Sequence, residues 1–371
     1  MSDSAIRVID ADAHVNEDLL GWKRLHAEFP GWLGTGESAG TTVAQIDGKL
    51  FPRQEGRGRG VPVATAIAPA AQAGAGDVRQ RLADLDAEGI DTQVLYGGLA
   101  LGVSTLDDIV LARAIAQTYN DWLLDDVCGA DPARLKAAAV VALQDPEQAA
   151  SEVTRAAGRG AVAVTMPPVV GGADPAGDGN THTLDHPSLL AVFEAAAAAG
   201  VPVAIHSAPG MNIPLPAAGL FDNYAQVHAL SFPVDQMVAF TALAMGGVLD
   251  RVPELRVVFL EAGVGWVPWF LHRVEEHREK RGDMVPDMRV DPIEYVKRGQ
   301  CWFSFEPDEP FLADVIARIG HRSLVWSSDY PHWDCDFPGT VTETRKRATA
   351  GLADEVVADV MGLNAARLYN F

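Results

Sequence analysis

The chain has 371 residues, of which 48% are hydrophobic and 21% are charged, a composition typical of a globular protein with a large core. This balance excludes disordered, collagen-like and coiled-coil chains. Its 29 basic and 50 acidic residues give a formal net charge of −21, which argues against sequence-independent binding to nucleic acid or to an anionic membrane.

Neither the first residues nor the cysteines indicate an exported or membrane protein. Residues 1–10 lack a basic region followed by a long apolar run, and no apolar stretch approaches the roughly 20 uncharged residues that a membrane helix needs. The three cysteines, at positions 128, 301 and 335, are too scattered for a disulfide framework. We therefore expect a soluble, cytoplasmic protein with no nucleic-acid or membrane partner.

Short apolar runs alternate with helical stretches along the whole chain. Gly89 marks the end of a helix that begins near Asp77, and Asp145-Pro146 supplies an N-cap and a first-turn proline for another. Eight strands separated by helices indicate parallel crossovers, and eight strands can close a barrel. The sequence predicts one (β/α)8 (TIM) barrel domain over residues 1–371, with strands at 6–13, 92–96, 135–143, 161–165, 201–206, 256–261, 301–305 and 323–328.

Three segments are longer than ordinary connections. Residues 18–76 form an insertion with a predicted hairpin at Asp47-Gly48, residues 169–186 are rich in Gly, Asp and Pro, and residues 208–230 contain proline and aromatics. Because they follow the first, fourth and fifth strands, we expect them to cover the carboxyl end of the barrel as lids.

The first strand ends in residue types that bind metal ions. With a period of two, Asp10, Asp12 and His14 are predicted on one side of the strand, and Glu17 can fold back from the loop. An isolated Asp-x-His is more often made of turn acids and a packed histidine. The interpretation as a metal site therefore depends on partners elsewhere in the chain.

Those partners follow three other strands. His206 ends the fifth strand, Glu261 ends the sixth, and Asp329 and His332 follow the eighth. Any one of them alone is explained by packing, but convergence at one end of a barrel favours a functional centre. The predicted metal ligands are Asp12, His14, Glu17, His206, Glu261, Asp329 and His332.

These motifs together resemble a known family. They are Asp-Ala-Asp-Ala-His-Val-Asn-Glu at 10–17, His206, Pro-Glu-Leu-Arg-Val-Val-Phe-Leu-Glu-Ala-Gly-Val-Gly-Trp at 253–266, Ser-Asp-Tyr-Pro-His at 328–332 and Asn-Ala-Ala-Arg-Leu-Tyr at 364–369. In order and residue type the chain resembles the metal-dependent amidohydrolase-related barrels, in the branch called amidohydrolase 2. The resemblance implies the barrel fold and metal binding at the strand ends.

The chain departs from the familiar hydrolases of that superfamily. Asp12 stands where they have histidine, residues 161–166 lack their bridging lysine, and Glu261 stands where they commonly have histidine. Three histidines with four carboxylates make a site rich in oxygen, which suits iron or manganese. Seven candidate ligands are more than one ion usually needs, so two ions are expected, with Glu17 or Glu261 able to bridge them.

The pattern also resembles a branch of non-haem di-iron monooxygenases from terpenoid biosynthesis, whose relatives act largely on coenzyme-A-linked substrates. This resemblance implies two Fe ions, an external electron donor and hydroxylation of a C–H bond, with Glu261, Asp329 and His332 in the catalytic centre. The alternative is a Mn- or Zn-dependent hydrolase or non-oxidative decarboxylase, in which Asp329 or His332 transfers a proton. A third reading is a barrel that binds without catalysis.

Two further features concern a small-molecule substrate. Arg53, Arg57 and Arg59 form a basic island in the first insertion, which could bind the phosphates of a coenzyme A thioester or could be a solvated loop. Glu306 follows the seventh strand and could contact substrate or orient a metal ligand; a turn acid is an equal alternative. A homodimer is compatible with the sequence.

Overall fold

Eight parallel strands form the centre of the protein in a computed structural model that describes residues 6–171, 181–214 and 216–371. Each strand pairs with the next in chain order, so the predicted (β/α)8 barrel is confirmed. Most strands are shorter than predicted, because residues predicted at one or both of their ends belong to the loops. They are β1 Ile9–His14, β2 Thr92–Tyr96, β3 Leu135–Val140, β4 Ala163–Met166, β5 Val203–Ile205, β6 Val257–Phe259, β7 Cys301–Phe305 and β8 Leu324–Trp326.

The first and last strands meet at their carboxyl ends. The Asp329 N–H donates to the Asp12 carbonyl over 3.1 Å, and the His14 N–H donates to the Tyr330 carbonyl over 2.6 Å. These bonds join the segment after β8 to β1 and leave the barrel nearly closed. The ends of β1 and β8 are therefore neighbours in space.

Helices surround the strands, and the predicted capping residues of α3 (Val78–Glu88) are present at its two ends. The Asp77 carboxylate accepts from the N–H groups of Arg79 and Gln80, and Gly89 ends the same helix at φ 73°. The α-helices are α1 Lys23–Glu28, α2 Gln72–Gly76, α3 Val78–Glu88, α4 Ile109–Trp122, α5 Pro146–Gly158, α6 Leu190–Ala199, α7 Tyr224–Met245, α8 Val248–Arg251, α9 Val267–Arg281, α10 Pro292–Lys297, α11 Leu312–Ile319, α12 Thr340–Lys346, α13 Asp354–Ala358 and α14 Asn364–Tyr369.

A β-bulge lies in the middle of β1. Asp10 is level with Gln93, but Ala13 is level with Leu95, so β1 holds one more residue than β2 over this stretch. The alternation of side chains is shifted there, and Asp10 faces the helix layer while Asp12 and His14 face the barrel axis. The prediction that Asp10, Asp12 and His14 share one side is therefore wrong for Asp10.

The amino end of the barrel is closed by α14. Leu368 and Tyr369 are buried against the small apolar residues of the barrel interior, among them Ala138 and Ala204. The Tyr369 hydroxyl donates to the Ala11 carbonyl over 3.0 Å, so its polar atom is satisfied. This end is packed and offers no opening among these residues.

The insertion after β1 carries its own antiparallel sheet of three strands, Leu33–Ser38, Thr41–Ile46 and Lys49–Phe51. Asp47 and Gly48 both have positive φ, 52° and 74°, as the predicted hairpin turn requires. The Arg53 N–H donates to the carbonyl of Gly210, in the loop after β5. The insertion thus lies against a mouth-side loop. Part of the predicted 169–186 loop, residues 172–180, lies outside the described residues.

One helix passes the length and composition test for a membrane span. Helix α7 has 22 residues and a window of mean hydropathy 1.2, of which 56% is buried inside the protein. Asp235 interrupts this helix, so it does not supply the run of roughly 20 uncharged residues that a membrane helix needs. The buried core helix of a barrel passes the same test, so the finding is weak support for a membrane span.

Candidate metal centre

Six of the seven predicted ligands converge at the carboxyl end of the barrel. Asp12 and His14 come from β1 beyond its bulge, and the others follow β5, β6 and β8. Candidate ligand atoms of Asp12, His14 and His206 lie within 4.8 Å of one another, as do those of His14, Asp329 and His332. His14 is common to both groups. Glu261 joins them, since its Oε2 lies 3.1 Å from His206 Nε2.

The Nε2 atoms of His14 and His206 face each other. His14 Nδ1 donates to the Gly97 carbonyl over 3.0 Å, and His206 Nδ1 donates to the Ser207 carbonyl over 2.6 Å. Burial lowers the pKa of both rings, that of His206 to about 4, so each is neutral and its Nε2 carries a lone pair. These two Nε2 atoms are 3.2 Å apart and cannot donate to each other. A cation between them would remove the conflict.

Carboxylate oxygens surround the same point. His14 Nε2 lies 3.4 Å from Asp329 Oδ1 and 3.6 Å from Asp12 Oδ1, and His206 Nε2 lies 3.6 Å from Asp12 Oδ2. Asp12 Oδ1 and Glu261 Oε2 are buried and have no hydrogen-bond partner. Unpartnered buried oxygens are costly, and a bound cation would satisfy them. The donor set therefore fits a divalent cation bound by nitrogen and oxygen.

The acids of the centre are held in an environment that opposes their ionisation. Burial, followed by the charges of neighbouring carboxylates, raises the pKa of Asp12, Glu261 and Asp329 well above the usual range. Burial also lowers the pKa of His332 to about 4. A cation would reverse the penalty on the carboxylates, because its charge favours their ionised form.

Two of these acids also have unusual backbone conformations. Glu261 and Asp329 both have φ 55°, in the left-handed region that side-chain-bearing residues rarely adopt. The Glu261 N–H donates to Ser304 Oγ over 3.1 Å, which helps to hold this conformation. Such backbone strain is concentrated at functional sites, where it aims side chains that a relaxed strand would direct elsewhere.

Glu17 does not join the cluster. Its Oε1 accepts from the N–H groups of Gly98 and Ala100, both over 2.9 Å, so the carboxylate supports the segment after β2. The prediction of Glu17 as a metal ligand or bridge is therefore not supported by its position. The acid folds back as predicted, but toward backbone amides.

The residues predicted to contact substrate lie outside the cavity lining described below. The Arg53 guanidinium donates to the carbonyls of Glu55 and Arg57, both over 2.7 Å, so it braces its own loop. Arg57 is exposed and Arg59 is partly buried. Glu306 is near Asp329, whose charge, after burial itself, raises the pKa of Glu306 to about 8. Substrate contact by these four residues stays a prediction.

A network that sequence reasoning missed supports β1 from behind. The outward-facing Asp10 accepts from Ser328 N–H and Oγ, over 2.9 and 2.5 Å, and from Gln93 Nε2 over 2.8 Å. Arg81 on α3 donates to Gln93 Oε1 over 2.8 Å and to the His14 carbonyl over 2.5 Å. This network ties the loop after β8 to the strand that carries His14. No local signal marks Arg81, since its partners are distant in sequence.

A cavity of about 100 Å³ lies above the cluster and opens to solvent. His14, His206, Glu261 and His332 line one part of it. Sequence reasoning missed the rest of the lining; the spacing 224, 228 and 232 on one helix face is the signal that could have shown it. These further lining residues include Leu101, Met211, Tyr224, His228, Phe232, Trp333 and Asp334.

Comparisons with known proteins agree with this architecture. A family model described as Amidohydrolase matches residues 9–371. The chain is 26% identical over 261 residues to 2-amino-3-carboxymuconate-6-semialdehyde decarboxylase of Dictyostelium discoideum, covering 68% of this chain and 66% of that protein, just under two thirds of its length. It is 28% identical over 264 residues to gamma-resorcylate decarboxylase of Rhizobium sp. (strain MTP-10005), covering 69% of this chain and 77% of that protein.

Solved structures share the fold over almost the whole chain. An amidohydrolase from Mycobacterium avium subsp. paratuberculosis K-10 has a TM-score of 0.78 at 22% identity and covers 98% of this chain and 99% of its own. A dihydroxybenzoic acid decarboxylase from Polaromonas sp. JS666, solved with manganese and the inhibitor 2-nitroresorcinol, has a TM-score of 0.72 at 19% identity and covers 98% and 97%. At these identities the likeness shows the fold alone.

The relatives overturn the leading functional prediction. They are decarboxylases, so the expectation of an oxygen-dependent monooxygenase, and of an oxidoreductase generally, is wrong. They agree with the alternative of a metal-dependent, non-oxidative decarboxylase. The two iron ions find no support either, whereas manganese, the alternative metal, is bound in the Polaromonas structure. The same ligand types serve both chemistries, and for that reason the residues alone did not separate them.

Proposed function

We propose, from the premise that the chain belongs to the amidohydrolase family, that it is a metal-dependent, non-oxidative decarboxylase of a small aromatic carboxylic acid. The observation that carries the proposal is the facing pair of Nε2 atoms of His14 and His206 at the edge of the cavity. A cation held there lies where a bound carboxylic acid can reach it. The curated relatives supply the reaction class.

One divalent ion, Mn²⁺ in the first instance, would be held by Asp12, His14, His206 and Asp329. The two groups of ligand atoms share His14, and one imidazole nitrogen binds one ion, so they describe a single site. His332 Nδ1 donates to Asp329 Oδ1 over 2.9 Å. His332 would therefore orient the ligand Asp329 without itself binding the ion. Glu261, whose Oε2 is unpartnered, completes the site from the β6 side.

Decarboxylation exchanges one bond for another at a ring carbon. A proton is delivered to that carbon, which interrupts the aromaticity of the ring. The bond to the carboxylate carbon then breaks, its electron pair restores the aromatic ring, and CO₂ leaves. A bound divalent cation supplies Lewis acidity that orients the acid and polarises its oxygens. His332 lines the cavity; its Nδ1 holds a proton and its Nε2 can take up another from solvent, so it is the group of this chain placed to deliver one.

The cavity wall also serves the reaction. Leu101, Phe232 and Trp333 present apolar surface, which suits an aromatic ring and limits water around the reacting carbon. Because the reaction changes no oxidation state overall, the proposed function needs no electron donor. A coenzyme A substrate, a homodimer and a cytoplasmic location stay predictions.

The test is CO₂ release from a panel of hydroxybenzoates by the Mn²⁺-loaded protein, measured with and without oxygen. We expect one CO₂ for each acid consumed, at equal rates in both atmospheres. His206→Asn should abolish release, whereas His277→Asn, a matched change at an exposed histidine of α9, should leave it intact. Absence of CO₂ from every acid, or a requirement for oxygen, would overturn the proposal.

A further inference from the structure

The cavity has two chemically different parts. One part holds the candidate metal ligands; the other is formed by α7 and the segment after β8, where Asp334 lies beside His228, Tyr224 and Trp333. Among the described residues that line the cavity, the acids are Glu261 and Asp334, and none is Lys or Arg. A ligand group that meets the second part therefore meets a carboxylate and aromatic faces, with no basic side chain from this lining.

The Asp334 charge has little local compensation. Its Oδ2 lies 3.6 Å from His228 Nε2, and burial lowers the pKa of His228, so that ring is neutral near pH 7. The Asp334 side chain is 32% exposed, so solvent reaches it although it belongs to the cavity lining. Its field reaches the centre, since the Asp334 charge is the largest cause after burial of the raised pKa of Asp329.

Aromatic rings fix this pair in place. The His228 ring lies 5.3 Å from Tyr224, 5.0 Å from Phe232 and 5.6 Å from Trp333, measured between ring centroids. Rings so arranged attract cations and polarised N–H groups to their faces. The wall that carries Asp334 thus combines an anionic acceptor with aromatic surface.

Two arginines near the site are already engaged. Arg53 donates to two carbonyls of its own loop, and the buried Arg81 donates to Gln93 and to the His14 carbonyl. A second carboxylate on a bound acid, directed at Asp334, would face a like charge at this wall. Like charges across a binding site oppose association, whereas a donor group there gains a charge-assisted hydrogen bond.

From this arrangement we infer that Asp334 is a specificity-determining residue that selects aromatic monocarboxylates bearing an amino or cationic group at the end away from the metal, and rejects dicarboxylates. The inference rests on the proposed function for the orientation of the acid, with its carboxylate toward the metal ligands. It assigns Asp334 no part in bond breaking.

The experiment measures binding to the Mn²⁺-loaded protein by calorimetry, using 3- and 4-aminobenzoate against benzene-1,3- and benzene-1,4-dicarboxylate. We expect an aminobenzoate to bind at least about fivefold more tightly than the matching dicarboxylate, the scale of one partly exposed charge contact. Asp334→Asn should narrow the difference, and Asp334→Lys should reverse it. Asp336→Lys makes the same charge change two residues away, outside the cavity lining, and should leave the wild-type order.

The outcomes separate the two proposals. Equal binding of both series by the wild type, no binding of either, or an unchanged order in both Asp334 variants would overturn the role of Asp334. The preference is a binding result and needs no turnover. The expected order of affinities with no CO₂ from any acid would leave the role of Asp334 standing and overturn only the decarboxylase.

Discussion

The two ends of the barrel are built from the same eight strands and follow opposite rules. At the amino end, Tyr369 is buried with its hydroxyl bonded to the Ala11 carbonyl, among small apolar side chains. At the carboxyl end, Asp12 and Glu261 keep buried oxygens without partners, and Glu261 has a strained backbone. One end is optimised for packing, and the other tolerates unfavourable groups, which is expected where a site must receive a ligand.

The largest expected effect breaks the packed end. Tyr369→Ala should lower the free energy of unfolding by about 3–5 kcal/mol, because it leaves a cavity and an unpaired carbonyl. Urea denaturation measures this loss. Calorimetry on the folded variant should show a much smaller loss of Mn²⁺ affinity than of stability, since Tyr369 bonds to the Ala11 carbonyl and not to a candidate ligand side chain. A large loss of affinity would show that the two ends are not separable.

The next effect breaks the carboxyl end. His14→Ala should weaken Mn²⁺ binding by more than about a hundredfold, since removal of groups that only orient ligands already costs about 10–100-fold. Calorimetry and metal analysis after dialysis check the result. The exposed-histidine variant His277→Ala is the control. Full metal occupancy in His14→Ala would remove this residue from the site.

Metal addition should convert the unfavourable end into a stabilising one. Mn²⁺ at about one hundred times its Kd should raise the free energy of unfolding by about 2.7 kcal/mol, because it binds the folded state alone. Thermal unfolding with Mn²⁺ and with a chelator measures the difference. In Asp12→Asn the increase in the free energy of unfolding caused by Mn²⁺ should be smaller. An equal shift in wild type and variant would indicate binding elsewhere.

The smallest effect concerns Asp235 on α7, which accepts from Ser207 Oγ over 2.6 Å. Burial raises its pKa from 3.8 to about 7, so between these values the folded state holds a proton that the unfolded state has released. The contribution of Asp235 to the free energy of unfolding therefore falls as the pH rises from 3.8 to about 7. Asp235→Asn should raise the free energy of unfolding by about 1 kcal/mol more at high pH than at low pH.

The check on Asp235 is urea denaturation at about pH 4 and about pH 8. Asp222→Asn, at an exposed position before the same helix, serves as control and should show no such pH dependence. A gain for Asp235→Asn that is equal at both pH values would assign it to hydrogen bonding rather than to charge burial.

Strand positions and strand-end residues could be predicted because both depend on local periodicity and on one rule of barrel geometry. His206 ends a run of apolar residues, and its position at the mouth follows from that alone. The hydrogen bonds of Glu17 could not be predicted, because its partners, the amides of residues 98 and 100, come close to it only in the folded chain. The wall around His228 and Asp334 joins segments a hundred residues apart, which no local pattern encodes.

The bulge in β1 divides one strand into two segments of opposite phase. Before it, Ile9 and Ala11 belong to the packed interior; after it, Asp12 and His14 belong to the mouth. Interior packing and metal binding can therefore vary independently during evolution, since a substitution in one segment does not change the direction in which the side chains of the other segment point. Deletion of Ala11 would restore regular alternation with Asp12 and His14 still inward. Because Ala13 and His14 would stay level with Leu95 and Tyr96, the loss would fall on the packed interior, which Ala11 helps to fill, and not on the position of His14 beside His206.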